Sequence, residues 1–342
     1  MMKTGIVRMV FVSLLILGVF TVACSSTLWV AWFGLEITTL FFIPLLTTPK
    51  SWATTVGAWQ YLVYQSSGSM TFMALLLSQP QVGVLSQQMS WPMSGFTWVL
   101  SLPLLFKMAM PPFQTWGLNL SDLASWLNFY FLGSVQKLGP FLMMWELASY
   151  DLSLTNLMVG FMSLVVSFYG TVETSIRRIL TYSSLLNFSW CLLLLEKSDP
   201  NTLAFLGVYL ACTAGVLVTL SSSNVYSLSS LYARTRRVGV VDKLIILSNV
   251  MAVFGVPPLI GFQLKMDSLL VLIGEGANAV VSCILLTSGL AMMIVYQHFM
   301  NLTQLKQESA LLDKVMTSSS GGPMMIIPLV ILTVSLANIL LY

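Results

Sequence analysis

Charge is scarce in this chain. Only 8% of its 342 residues are Asp, Glu, Lys or Arg, while 57% are hydrophobic and the mean hydropathy is +0.87. No single core can hide apolar surface on that scale, so a soluble globular domain is excluded. Metal ligands are scarce too. The chain has one histidine, His298, and its four cysteines, Cys24, Cys191, Cys212 and Cys283, stand apart with no CxxC pair. Haem, iron–sulfur and zinc sites need more ligands in a tighter pattern. Neither a GxGxxG nor a P-loop occurs, so no nucleotide-binding fingerprint is present. The expectation is a chain that binds no redox cofactor or nucleotide itself.

What the chain does have is long apolar runs. A membrane-spanning helix needs about 20 apolar residues. The runs predict an all-α polytopic membrane protein with about eleven such helices, over 4–23, 27–46, 53–78, 96–117, 123–145, 152–170, 174–195, 201–220, 240–265, 269–300 and 323–342. Unbroken runs exclude a β-barrel, whose strands are short and alternate in polarity. The first run follows Lys3 and Arg8 and ends TVACSS. That also fits a secretory signal with a cysteine at the cleavage site. A first transmembrane helix is the simpler reading, because ten more spans follow and no soluble domain is there to export.

The few charges have a pattern. With eleven spans, eleven of the fifteen basic residues fall on the side of the N-terminus: Lys3, Arg8, Lys50, Arg177, Arg178, Arg234, Arg236, Arg237, Lys243, Lys306 and Lys314. Lys197 alone falls on the other side, whose short loops carry Glu146, Asp151, Glu196 and Asp199. The positive-inside rule then puts the N-terminus in the cytoplasm or matrix. Arg177, Arg178 and Glu173 read as a topology anchor with a surface ion pair.

Two spans carry proline clusters. The fourth reads TWVLSLPLLFKMAMPPFQTW, with Pro103, Pro111 and Pro112 around Lys107. The ninth reads NVMAVFGVPPLIGFQLKM, with Pro257 and Pro258 before Lys265. Proline inside a helix removes a donor and frees a carbonyl, which in lipid must find another partner. Interrupted helices at matching places in two halves point to a transport site. The broken helix is fourth in each set of five, and an odd number of helices per set inverts the second. The expected organisation is therefore a five-helix unit over 1–146, an inverted one over 147–303, and a connecting loop with a C-terminal helix over 304–342. Lys107 and Lys265 would be pseudo-equivalent.

Lys107, Lys137 and Lys265 sit in or at the edge of apolar runs, and Glu36 lies inside WVAWFGLEITTLFFIPLL. A lysine at mid-membrane costs roughly 3 kcal/mol, so each is a functional candidate by default. Whether a buried lysine keeps its proton depends on hydration and on nearby carboxylates. A row of such groups makes a proton relay along a polar axis, with Glu36 modulating Lys107. The competing reading for each is structural. A lysine near a helix end can snorkel to the headgroups, and Lys265, late in its span beside Asp267, suits that best. Lys137 lies between Gly133, Gly139 and Pro140, which permit close packing or local water. Glu275 fits an interfacial or packing role better than an exit-side proton group. The 21 methionines and ten tryptophans read as packing and interfacial residues rather than as a cofactor site.

Five segments carry a family resemblance. GLEITTLFFIPLL resembles the Glu-bearing helix of the chain 2 family of NADH–ubiquinone oxidoreductase, a membrane-arm subunit of respiratory complex I. LLFKMAMPPFQTW, SVQKLGP, TSIRRILTYSSLLNFSW and FGVPPLIGFQLKM resemble its later motifs, in the family's order and across most of the chain. Members commonly have a histidine where this chain has Gln114, and often one where it has Asn187, so a relay role does not carry over to those two positions. The resemblance implies an antiporter-like subunit in the shortened animal form, mitochondrially encoded and without a presequence. It would lie in the mitochondrial inner membrane with its N-terminus in the matrix. Glu36, Lys107, Lys137 and Lys265 would relay protons. NADH oxidation with FMN and iron–sulfur clusters, and ubiquinone reduction, would lie in other subunits. Partners would be the other membrane-arm subunits and lipids, with no nucleic acid. Two other readings stand beside it. One is a stand-alone or Mrp-like cation/proton antiporter subunit, although a sodium site would favour clustered carboxylates. The other is a structural membrane subunit that moves no protons.

Overall fold

The computed structural model describes residues 2–48, 51–78, 97–148, 153–195, 201–223, 248–256, 259–274 and 279–304. Every regular element among them is an α-helix. In order these are α1 (Met2–Ala23), α2 (Leu28–Leu46), α3 (Trp52–Leu77), α4 (Thr97–Lys107), α5 (Gln114–Leu123), α6 (Trp126–Gly133) and α7 (Val135–Leu147). Then follow α8 (Ser153–Val172), α9 (Ile176–Leu195), α10 (Asn201–Ser223), α11 (Ile260–Gly274) and α12 (Ala279–Gln304), with a helical stretch over 248–254 before α11. Four helices are long and apolar enough to cross a membrane among the described residues, in Ile6–Ala23, Leu28–Leu46, Thr155–Val172 and Ile176–Leu195. The connection 224–247, Lys197, Glu275, the His298 side chain and the span expected at 323–342 lie outside the described residues.

The expected spans 96–117 and 123–145 are each two helices. The first breaks after Lys107, where prolines remove backbone donors. The second breaks at Ser134, which has φ −122 and ψ −80, between Gly133 and the β-branched Val135. Both neighbours are weak helix formers. The run expected as 240–265 also divides. Its C-terminal part belongs to α11, which places Lys265 well inside a helix rather than near the end of one.

The chain forms two compact units, up to Met162 and from Ser163. In the first, α1 packs on α2 through small residues. A Cβ at Gly34 would stand 2.5 Å from Thr21 Oγ1 and 3.1 Å from the Gly18 carbonyl oxygen. Small residues are how membrane helices approach closely. α3 starts at a Ser51–Thr54 capping box and turns several polar residues inward. Its buried stripe includes Thr54, Tyr61, Gln65 and Ser69 at three- and four-residue spacing. Trp52, Trp59, Val63 and Met70 are exposed. Leu15, Phe42, Tyr61, Trp116, Leu120 and Leu132 form an apolar core.

In the second unit α9 is the central post, buried almost all round, with α10, α11 and α12 against it. Its buried hydroxyls bond back to their own helix, as Ser183 Oγ does to Leu180 O at 2.8 Å and Ser189 Oγ to Leu186 O at 2.6 Å. This satisfies them without a partner helix.

Candidate functional site

Glu36 lies on α2, and Lys107 is the last residue of α4. Lys107 Nζ donates to Glu36 Oε1 at 3.4 Å. The lysine side chain is 1% exposed and the carboxylate side chain 24%. Coulomb attraction at that distance is about 5 kcal/mol at an effective dielectric near 20. Desolvation costs several kcal/mol per ion. The two terms are comparable. Gly68 of α3 makes room for the lysine stem, since a Cβ there would stand 3.1 Å from Lys107 Cγ.

The pair sits at the helix break. Met108, Ala109 and Met110 turn the chain with amide bonds back to Leu104, Phe106 and Leu105. Ala109 has φ 56. Side chains from elsewhere then supply donors to the carbonyls at the end of α4. Gln65 Nε2 donates to Lys107 O at 3.0 Å, and Trp116 Nε1 to Phe106 O at 3.2 Å.

Lys137 lies in the first turn of α7, 5% exposed, and its amide donates to Ser134 O at 3.0 Å. The preceding residue is also engaged. Tyr61 Oη donates to Gln136 Oε1 at 2.8 Å, and Gln136 Nε2 donates to the Thr38 carbonyl of α2 at 3.3 Å.

In the second unit Lys265 Nζ donates to Phe254 O at 3.0 Å, across the break between the 248–254 stretch and α11. The residue is 8% exposed, so it does not snorkel. Asn187 of α9 donates from Nδ2 to the adjacent Val253 O at 3.1 Å. Gly255 has φ 74, and a Cβ at Gly261 would stand 2.0 Å from Ala252 O. Lys107 and Lys265 are therefore placed differently. Lys107 ends the helix before its break, whereas Lys265 reaches back from the helix after its break and caps the earlier one.

The structure thus joins Glu36 to Lys107 and places Lys137 in the same unit. Lys265 has its own site in the second unit. The ion pair expected at the start of α9 is present, Arg178 Nη1 to Glu173 Oε1 at 3.5 Å, with the arginine side chain 40% exposed. Sequence reasoning passed over Tyr61, Gln65, Trp116 and Gln136. For Tyr61 and Gln65 the signal available was their place on one helical face of α3.

A family model described as NADH:quinone oxidoreductase/Mrp antiporter, transmembrane, matches residues 25–291. The chain belongs to that family. The chain 2 relative from Aquarana catesbeiana, an NADH-ubiquinone oxidoreductase subunit, is 28% identical over 281 residues, covering 80% of this chain and 79% of its own length. The fold of this family member also resembles a chain in respiratory complex I from Thermus thermophilus with bound aureothin. That likeness has a TM-score of 0.79 at 18% identity and covers 97% of this chain and 78% of that one. A chain of the Mrp complex from Dietzia sp. DQ12-45-1b has a TM-score of 0.76 at 12% identity, covering 97% and 75%.

Proposed function

We propose that this chain is a proton-translocating membrane subunit of respiratory complex I. Glu36, Lys107, Lys137 and Lys265 form its relay. The observation that carries the reading is the Glu36–Lys107 pair, a buried lysine opposite a partly solvated carboxylate at a proline-broken helix. Such a pair can exchange a proton when its separation changes, and a broken helix is an element whose separation can change. The chain carries no redox centre in this reading. NADH, FMN, iron–sulfur clusters and ubiquinone belong to other subunits, and membrane-arm subunits and lipids are the partners. The architecture proposed is eleven spans in the mitochondrial inner membrane, with the N-terminus in the matrix. The spans form inverted five-helix units over 1–146 and 147–303 and a C-terminal helix within 304–342.

The test is proton yield per NADH oxidised by the assembled complex in sealed vesicles. Lys107→Ala and Lys137→Ala lower the yield while the complex still assembles. A normal yield in both variants assigns the chain a structural role. The family also includes Mrp antiporter subunits, and a cation/proton antiporter is the second reading. Proton flux that depends on sodium or potassium, without NADH oxidation, would favour it.

A further inference from the structure

α7 begins at the break at Ser134, so no continuous helix before it sets its rotation or height. Gln136 lies in its first turn, immediately before Lys137. Successive side chains on a helix point about 100° apart, so anchoring Gln136 fixes the direction of Lys137. The anchor has two arms. One is the Tyr61 hydroxyl of α3, at 2.8 Å, and the other is the Thr38 carbonyl of α2, two residues after Glu36, at 3.3 Å. One turn along α7, the Leu35 side chain of α2 fills the space at Gly139, where a Cβ would stand 2.6 Å from Leu35 Cδ2. Glu36 thus lies between two residues of α2, Leu35 and Thr38, that meet α7. Tyr61 and Gln136 are both buried, Tyr61 completely. Burying a polar pair in an apolar region is costly unless both partners are satisfied, and an apolar pair would fill the same space without that demand.

We propose that Tyr61 and Gln136 form a positioning clamp across α3, α7 and α2 that sets the spacing between Glu36 and Lys137. They touch no transferred proton and act through the two charged residues. The inference rests on the relay reading above.

The experiment compares Tyr61→Phe, Gln136→Leu, the double variant and Lys137→Ala in the assembled complex in sealed vesicles. It reads NADH oxidation per complex and protons moved per NADH. Tyr61→Phe removes one hydroxyl and keeps the ring against Phe42 and Trp116, so it keeps the fold. The expected result is a proton yield that falls toward that of Lys137→Ala, with oxidation per complex retained. In the double variant no polar atom of the pair is left unsatisfied, so stability returns while the yield stays low. A normal yield in Tyr61→Phe, or its full recovery in the double variant, overturns the clamp and leaves the pair as packing. If Lys137→Ala itself pumps normally, the relay reading fails instead.

Discussion

Two buried lysines of this chain solve the same problem in different ways. Lys107 meets a carboxylate at 3.4 Å, whereas Lys265 meets a backbone carbonyl at 3.0 Å. A carboxylate can receive the proton its partner loses, and a carbonyl cannot. Glu36→Gln should therefore abolish the exchange at Lys107 while keeping side-chain volume. Leaving the buried lysine without its counter-charge costs about 3 kcal/mol, at the lower end for a broken buried pair because Glu36 is partly solvated. The expected outcome is a lower melting temperature of the complex together with a reduced proton yield. An unchanged yield would remove Glu36 from the relay. Asn187 makes a separate case. Its amide donates to Val253 O, and Asn187→Leu leaves that carbonyl unpaired at about 1–3 kcal/mol. Thermal unfolding of the purified complex checks this, and no loss of stability would mean that the carbonyl finds another donor.

Helix ends have the same requirement throughout the described residues. The last carbonyls of a helix have no partner within it, and lipid offers none. At three of these ends a side-chain amide from another helix answers. Asn128 Nδ2 donates to Leu45 O and Thr48 O at the end of α2, Gln65 to Lys107 O at the end of α4, and Asn187 to Val253 O. Broken helices can therefore persist within an apolar bundle. The break before α11 also needs close backbone approach. A methyl at Gly261 would collide with the Ala252 carbonyl, and backbone cannot yield as a flexible side chain does. Gly261→Ala should push α11 away from the preceding stretch and lengthen the Lys265–Phe254 contact. The cost is about 1–3 kcal/mol, typical of overpacking. A structure of the variant complex reads this directly, and an unmoved α11 would refute it.

For the whole molecule, topology is the property most open to test. In the proposed eleven-span topology, Glu146, exposed at the end of α7, and Arg178, at the start of α9, lie on opposite sides of the membrane. Single cysteines at these positions, in a chain freed of its own four, should react with an impermeant thiol reagent from opposite faces of sealed vesicles. Reaction of both from one face would break the eleven-span count.

Sequence alone was enough for the class of this protein. Apolar runs of spanning length permit little besides a helical membrane bundle, because lipid forces every backbone group to bond within its segment. It also marked the charged candidates of the site, though not the polar residues around them. A charge inside an apolar run is costly wherever it sits, and that cost marks Glu36, Lys107, Lys137 and Lys265 without any coordinates. The prolines likewise marked two breaks, since a missing donor is a local fact. Only the tertiary structure decided who meets whom. Glu36 and Lys107 are separated by 71 positions, and Tyr61 and Gln136 by 75. No local rule links them. The capping of helix ends by distant amides was likewise set by packing, because it depends on which helix lies alongside.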